Sequence, residues 1–542
     1  MNSSVLFLLI FIVMAPAQSA PVPKPSTTSK SGLEDNFDDD ELDKDDKSEI
    51  DLNENGTEIE LNVFTQIAHG NQAFKMPLRE ADIIQFRGRS ALNCEGCFWK
   101  KSENGLVIVP YIISKKYTPT QVSLFMNAVE EMESVTCVRF VQRTNEDSYI
   151  NIVATGGCAS FIGKTGGAQD VYLNPSTCMT RGTIQHEIKH SLGFVHEHSR
   201  SDRDLHVTIM YQYIPPESLS NFEKEDTNNM NLEYDYFSVM HYPCYAFSST
   251  PGECTIIPKP DPSVPIGQRN GISTMDVAKI NALYHCDICA TLLPDANGTV
   301  TSANYPATYP NNSNCVFLIR VPSGQISLKF NVFDIEASEG CFADYFQIYD
   351  GHSKKSPVLV DRTCGATLIP LMISTSNQVL IEFVTNNVVT GKGFNITYDS
   401  VQCGGAFYAP TKHFTSPGYP NKYSTNMKCK WIITCPPENQ ISLKISDFQL
   451  EGMFNKKCFY DYLSVYNGPD AASPLLGKFC GTRYTSPIKS TGNTMYIEFL
   501  SDKSNVFKGF QAIYTFDSAP LPMDSDIWCR LLRFGNLRQH LK

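Results

Sequence analysis

His186-Glu187-Ile188-Lys189-His190-Ser191-Leu192-Gly193-Phe194-Val195-His196 decides how the middle of this chain is read. On a helix, positions i and i+4 share a face, so His186 and His190 offer two imidazoles to one ion. Glu187 lies one residue on, where it reaches a water beside that ion without becoming a ligand. Gly193 permits a left-handed residue that ends the helix and turns the chain back. His196 then supplies a third nitrogen. Three protein ligands with one open position is the arrangement of a catalytic zinc site, not a structural one. Three unrelated histidines are the plainer alternative, and a zinc-binding but inactive site is another; the intact Glu187 argues against the second.

Around this motif, residues 91–286 read as a mixed α+β domain. Val107–Tyr111 is rich in β-branched residues and predicts a strand, as do Cys137–Gln142 and Tyr149–Val153. Thr118 to Glu133 predicts a helix, with Thr118 as cap, Pro119 in the first turn, and Val122, Phe125, Met126 and Val129 on one face. A second helix is expected from Thr183 to Phe194. On it, Lys189 is expected to lay its stem along the surface with the amine in water.

Further motifs narrow the reading. The three-histidine pattern is that of metzincins, and His196-Glu197-His198-Ser199-Arg200-Ser201-Asp202-Arg203-Asp204 closely resembles the astacin signature. Ser238-Val239-Met240-His241-Tyr242 resembles that family's Met-turn, which implies Met240 beneath the metal and Tyr242 as a switchable zinc ligand that swings away to stabilise the oxyanion. The resemblance implies a zinc endopeptidase with His186, His190 and His196 as ligands and Glu187 as general base. Arg87-Gly88-Arg89 precedes Ser90 and suits a trypsin-like activating protease. In astacins the freed amino terminus pairs with the glutamate after the third histidine, here Ser90 with Glu197, so an uncut chain is expected to have a poorly formed site. Glu80-Ala81-Asp82-Ile83 resembles the family's inhibitory Phe-x-Gly-Asp region, with Ala81 in place of the glycine. That implies Asp82 as a zinc ligand in the zymogen only.

The C-terminal part repeats itself. Cys289, Cys315, Cys341 and Cys364 are spaced by 26, 26 and 23 residues, and Cys403, Cys429, Cys458 and Cys480 by 26, 29 and 22. Gln325-Ile326-Ser327-Leu328-Lys329 returns as Gln440-Ile441-Ser442-Leu443-Lys444. Ile326, Leu328, Phe330 and Val332 alternate as in a half-buried strand. Two disulfide-pinned all-β sandwiches are the natural inference, and they resemble CUB domains. That resemblance implies pairs Cys289–Cys315, Cys341–Cys364, Cys403–Cys429 and Cys458–Cys480, and Ca²⁺ held by glutamate and aspartate. Glu451, Asp461 and Asp502 match in the second copy; in the first, Glu336 and Asp344 match but the third position is Asn386. The astacin resemblance implies Cys137–Cys286 and Cys158–Cys178. Cys244 and Cys254 flank the Met-turn loop and are expected to bridge. Cys94 and Cys97 close a short loop on this reading, a redox or metal motif being the other meaning of Cys-x-x-Cys. Cys435 and Cys529 are left over, and a bond between them is the remaining guess.

The expected organisation of the 542 residues is a signal peptide over 1–17, with Ala20 as a second cleavage option, then a partly disordered acidic pro-segment over 18–89. A catalytic domain over 90–286, CUB domains over 289–400 and 403–516, and a tail over 517–542 complete it. Residues 1–89 hold 16 acids against 8 bases, leaving 41 against 37 elsewhere, so the net charge of −12 does not point to nucleic acid. Eighteen cysteines fit an oxidising, extracellular compartment. Asn55, Asn297, Asn311 and Asn395 sit in glycosylation sequons, and no later stretch is apolar enough to span a membrane. An astacin domain followed directly by two CUB modules resembles amphibian-type hatching enzymes, which implies egg-envelope glycoproteins as substrates. A tolloid-like processing protease and a CUB-mediated binding protein with an inactive protease domain are the alternatives.

Overall fold

The computed structural model describes residues 63–72, 74–85 and 96–518. The leader, the acidic block before Glu60, the Arg89–Ser90 junction, Cys94 and Cys529 all lie outside the described residues.

A seven-stranded sheet carries the catalytic part. Strands β1 (Leu78–Arg79) and β2 (Ile83–Ile84) belong to the expected pro-segment. The body supplies β3 (Val107–Ile113), β4 (Val138–Gln142), β5 (Tyr149–Val153), β6 (Cys158–Ser160) and β7 (Ala168–Leu173). Their order is β1-β2-β6-β7-β5-β3-β4. Strands β4, β3, β5 and β7 run parallel, and β6 pairs antiparallel to β7. The alternate inward positions of β3, Val107 and Val109, have no exposed surface, as expected of a strand covered on a face. The pro-segment thus adds to the edge strand β6, which otherwise presents unpaired backbone groups. Asn71 fastens it there, donating to the carbonyls of Ala81 and Cys158 and accepting from the Cys158 amide.

Among the described residues, four α-helices accompany the sheet: α1 (Val63–Asn71), α2 (Pro119–Val135), α3 (Arg181–Ser191) and α4 (Thr274–Leu283). Thr118 caps α2 in a capping box with Gln121. Thr180 caps α3, which ends at Ser191, before the expected Phe194, because Gly193 takes φ +104° and reverses the chain. Every residue of α3 from Gly182 to Ser191 is buried, so the helix has no water-facing side.

Each repeat is a sandwich of a five-stranded and a four-stranded sheet with matching strand orders. Cys289 and Cys403 sit directly opposite Cys315 and Cys429 on parallel neighbours, where the pairs bond. The strand Gln325–Asp334 keeps Ile326, Leu328 and Phe330 inward, but a bulge between Phe330 and Val332 shifts the next buried position from Val332 to Phe333. Disulfides Cys137–Cys286, Cys158–Cys178, Cys244–Cys254, Cys341–Cys364 and Cys458–Cys480 are also formed. The Cys435–Cys529 guess is not supported: the Cys435 thiol is free and buried, donating to the Asn439 carbonyl.

Candidate metal centre

Helix α3 places His186 and His190 on one face, and the turn at Gly193 returns His196 to them. The Nε2 of His186 lies 3.2 Å from that of His190 and 3.3 Å from that of His196. Asp82, from the end of β1–β2, brings its carboxylate to 3.1 Å from His186, 3.2 Å from His196 and 3.6 Å from His190. Four ligand atoms bound tetrahedrally at zinc distances of about 2.0–2.1 Å would stand about 3.3–3.4 Å apart. The donor set therefore fits zinc.

The far side of each ring fixes which nitrogen faces inward. His186 Nδ1 meets the Val239 carbonyl at 2.8 Å, His190 Nδ1 meets the Phe194 carbonyl at 2.8 Å, and His196 Nδ1 meets Glu80 Oε2 at 2.7 Å. With each Nδ1–H donated outward, each Nε2 presents its lone pair to the centre. Burial drives the His186 ring down to about 3, so it stays neutral. At His196, burial acts in the same direction but Asp82 and Glu80 outweigh it and lift the ring to about 9. Two acids, Asp82 and Glu80, face this ring, and the positive charge they call for is the kind a divalent ion carries.

Glu187 is fully buried, and neither of its carboxylate oxygens has a hydrogen-bond partner. Such an orphan costs free energy unless something binds it. Burial, with the Asp82 charge added, pushes its carboxyl well above the usual range. Tyr242 is buried too, stacked on His198 at 3.9 Å between centroids, with its hydroxyl donating to the Glu80 carbonyl. Met240 is buried in the core, and its carbonyl accepts from the Glu197 amide at 3.0 Å.

Two expectations need correction. Lys189 does not reach water: it is 1% exposed, its ammonium pairs with Asp276, and it sits 4.7 Å above the Phe194 ring. The fully enclosed α3 leaves it no other course, and burial without Asp276 would be prohibitive. Asp276 also accepts from Ser238 Oγ and the Val239 amide, so it ties α3, α4 and the Met-turn together. Nor is Glu197 left waiting in this form. Lys279 contacts both its oxygens at 2.5 and 2.6 Å, and Arg200 and the Asp235 amide complete the set. In the full-length chain the three histidines already converge, with the Asp82 carboxylate among them.

Sequence reasoning missed Glu80, Lys279, Asp276 and Arg269. Glu80 holds both His196 and Ser199 Oγ, the latter at 2.7 Å. The Arg269 guanidinium acts electrostatically on Asp82, Tyr242 and Glu187. No local motif singles these residues out; a buried charge in search of a partner was the available signal only for Glu197.

In the repeats, Glu451, Asp461 and Asp502 bring ligand oxygens within 4.8 Å of one another, and one Glu451 oxygen is buried without a partner. The first repeat differs. There Asn386 Nδ2 donates to Glu336 at 2.8 Å, and the Asn386 amide donates to Asp344 at 2.7 Å.

A helix-borne histidine pair, a third histidine past a glycine turn and a buried carboxylate beside them define a zinc metalloendopeptidase, whose substrates are proteins. The profile of the astacin peptidase family matches residues 98–285, and that of the CUB domain matches 289–398 and 403–514. The chain belongs to the astacin family, as an astacin catalytic domain followed by two CUB sandwiches. It is 52% identical over 461 residues to "Embryonic protein UVS.2" of Xenopus laevis, covering 85% of this chain and 89% of that protein. It is 47% identical over 350 residues to the "Astacin-like metalloendopeptidase" of Gallus gallus, covering 64% of this chain and 85% of that protein. Among solved structures, the hatching enzyme zinc-protease High choriolytic enzyme 1 of Oryzias latipes is 49% identical, with a TM-score of 0.35, covering 36% of this chain and 99% of that one.

Proposed function

We propose that this chain is the secreted zymogen of an endopeptidase, opened by a cut at Arg89–Ser90 and directed at egg-envelope glycoproteins. The observation that carries the reading is the buried, unpartnered Glu187 beside three convergent Nε2 atoms that a carboxylate of the chain's own pro-segment blocks. Disulfide-rich modules and the N-terminal apolar leader support export. Among the described residues, no helix is long and apolar enough to cross a membrane. The substrate class is supported by a protease joined directly to two CUB modules without EGF-like cysteine spacing, and by kinship to a protein named as embryonic.

His186, His190 and His196 would hold zinc, which would supply a Lewis acid for the scissile carbonyl and for a water. Burial is the larger cause that holds the Glu187 carboxyl high and the Asp82 charge the smaller; departure of Asp82 removes the second, which moves Glu187 toward the carboxylate that a general base needs. It then takes the water proton and passes it to the leaving amine. Tyr242 loses the Glu80 carbonyl as its acceptor at the same moment and becomes free to donate where oxyanion charge develops. Lys279 keeps the Glu197 charge compensated until the Ser90 amino group arrives. In the second CUB module Glu451, Asp461 and Asp502 take Ca²⁺; in the first, Asn386 already satisfies Glu336, and Glu336 and Asp344 take none.

The test is trypsin-cut protein offered isolated egg envelope, procollagen and a pro-growth-factor antagonist in parallel, each with and without a zinc chelator. Chelator-sensitive cleavage of the envelope protein in preference to the others is expected. Preference for procollagen or the antagonist would favour the tolloid-like reading, and no cleavage at all after verified removal of the pro-segment would favour the binding protein.

A further inference from the structure

We infer that the first CUB module is a built-in half of the protease, and that Arg320 is a positioning residue for the zinc helix. This does not depend on which protein is the substrate. Arg320 stands at the end of the strand Asn314–Arg320 in the first CUB module and is only 6% exposed. Its Nη1 pairs with Glu131 of α2, which is 1% exposed. Its Nη2 donates to the Ile272 carbonyl at 2.7 Å. Gln378, on the neighbouring strand of the same module, donates to the other Glu131 oxygen at 2.6 Å.

The chain of contacts then enters the active site. The Ile272 amide donates to Gln185 Oε1 at 2.8 Å, and Gln185 Nε2 donates to the Ala128 carbonyl of α2 at 3.0 Å. Gln185 is the residue before the zinc ligand His186. One guanidinium from the CUB module therefore braces both the helix behind α3 and the loop that holds α3 by its second residue before the Glu187 base. Gly271 shows how tight the joint is: a Cβ there would meet Arg320 Nη1 at 2.6 Å and Gln185 Oε1 at 2.9 Å.

Apolar packing runs through the same joint. Leu292, Val316, Leu318, Tyr349 and Leu380 of the module are buried in one cluster with the core of the catalytic domain. A charged pair sealed this way is costly to break on one side, because buried Glu131 would keep only the longer 3.7 Å pairing with Arg181 and the Gln378 hydrogen bond. The rim pair Lys355–Glu130 is exposed and adds little. The five-stranded face of this module is therefore used internally, and any external partner must use its loops or its other sheet.

The experiment uses the full-length, trypsin-cut protein with Arg320→Met, Arg320→Lys and Gln378→Leu. Zinc release into a chelator, kcat and KM on a peptide too short to touch a CUB module, and thermal unfolding of the metal-free form are read for each. Arg320→Met should release zinc about 10- to 100-fold faster and lower kcat, with KM little changed. Arg320→Lys should fall between, since one ammonium reaches Glu131 but does not fork to Ile272 as well. The metal-free parent should unfold its protease and first CUB module in one transition. A folded Arg320→Met with parental zinc release and kcat overturns the proposal, as do separate transitions for the two domains in the parent. Should Arg320→Met fail to fold, Gln378→Leu decides: faster zinc release supports the proposal, and parental release refutes it.

Discussion

The centre at His186, His190, His196 and Asp82 and the corner at Glu451, Asp461 and Asp502 are both gatherings of ligand atoms within 4.8 Å, yet they differ in kind. All four members of the first are buried, and three are imidazoles whose outer nitrogens are already fixed. The second is acid alone, with only Asp461 fully buried. A buried site of imidazoles favours a borderline ion and can be closed by one carboxylate from the same chain. A half-exposed site of carboxylates favours a hard cation, which water can replace at modest cost. The first CUB module offers the control. It keeps the Tyr309–Asp344 bond that matches Tyr423–Asp461, but where the second module has Asp502 it has the Asn386 amide on Glu336; Glu451 is met by Asn505 on one oxygen and keeps the other unpartnered.

The largest effect that tests this contrast is expected at Glu187. If its buried oxygens serve the reaction and not the ion, Glu187→Gln in the cut enzyme loses roughly 10²–10⁴ in kcat/KM on a peptide while metal analysis finds zinc unchanged. Loss of zinc along with activity would make it part of the cage and erase the division between ligands and base. Next in size is the plug. Hydrogen bonds to charged groups contribute roughly 1.5–3 kcal/mol, so Asp82→Asn should raise hydrolysis by the uncut chain roughly 10- to 100-fold. A variant as silent as its parent would mean that something other than this carboxylate closes the centre.

At the acidic corner the expected change is in stability. Calcium at a hundred times its Kd should stabilise the second CUB module by about 2.7 kcal/mol, visible as a higher Tm. Asp502→Asn should abolish that rise, and Asn386→Asp should transfer it to the first module. A calcium response in the first module of the parent chain would remove the contrast between the two modules. The smallest effect concerns the backbone under the plug. Ala81 holds the left-handed conformation at φ +71°, and Ala81→Gly relieves that strain, partly offset by glycine's greater freedom when unfolded. The uncut protein should gain a few tenths to about 1 kcal/mol, read from its Tm.

Much of this molecule was legible before any coordinates. The four-residue step from His186 to His190, the glycine before His196 and the cysteine spacings of the repeats all encode local geometry, and the structure agrees with each. Lys189 shows where such reading stops. Its helical period predicts a side, but not whether that side faces water, and here α4 and the Met-turn cover it. Val332 fails for a similar reason: one extra residue in a strand moves every later side chain to the opposite face.

Spacing along the chain was enough to bring out the three-histidine pattern and the repeats, because helix pitch, strand alternation and turn chemistry act over a few residues; most disulfide pairs came from the family resemblance instead. Tertiary structure alone decided that Glu80 meets His196, that Lys279 pairs with Glu197, and that Arg320 grips Glu131 across 189 residues. Those pairings arise from which surfaces pack together, and a buried charge takes whatever opposite charge the packing brings to it.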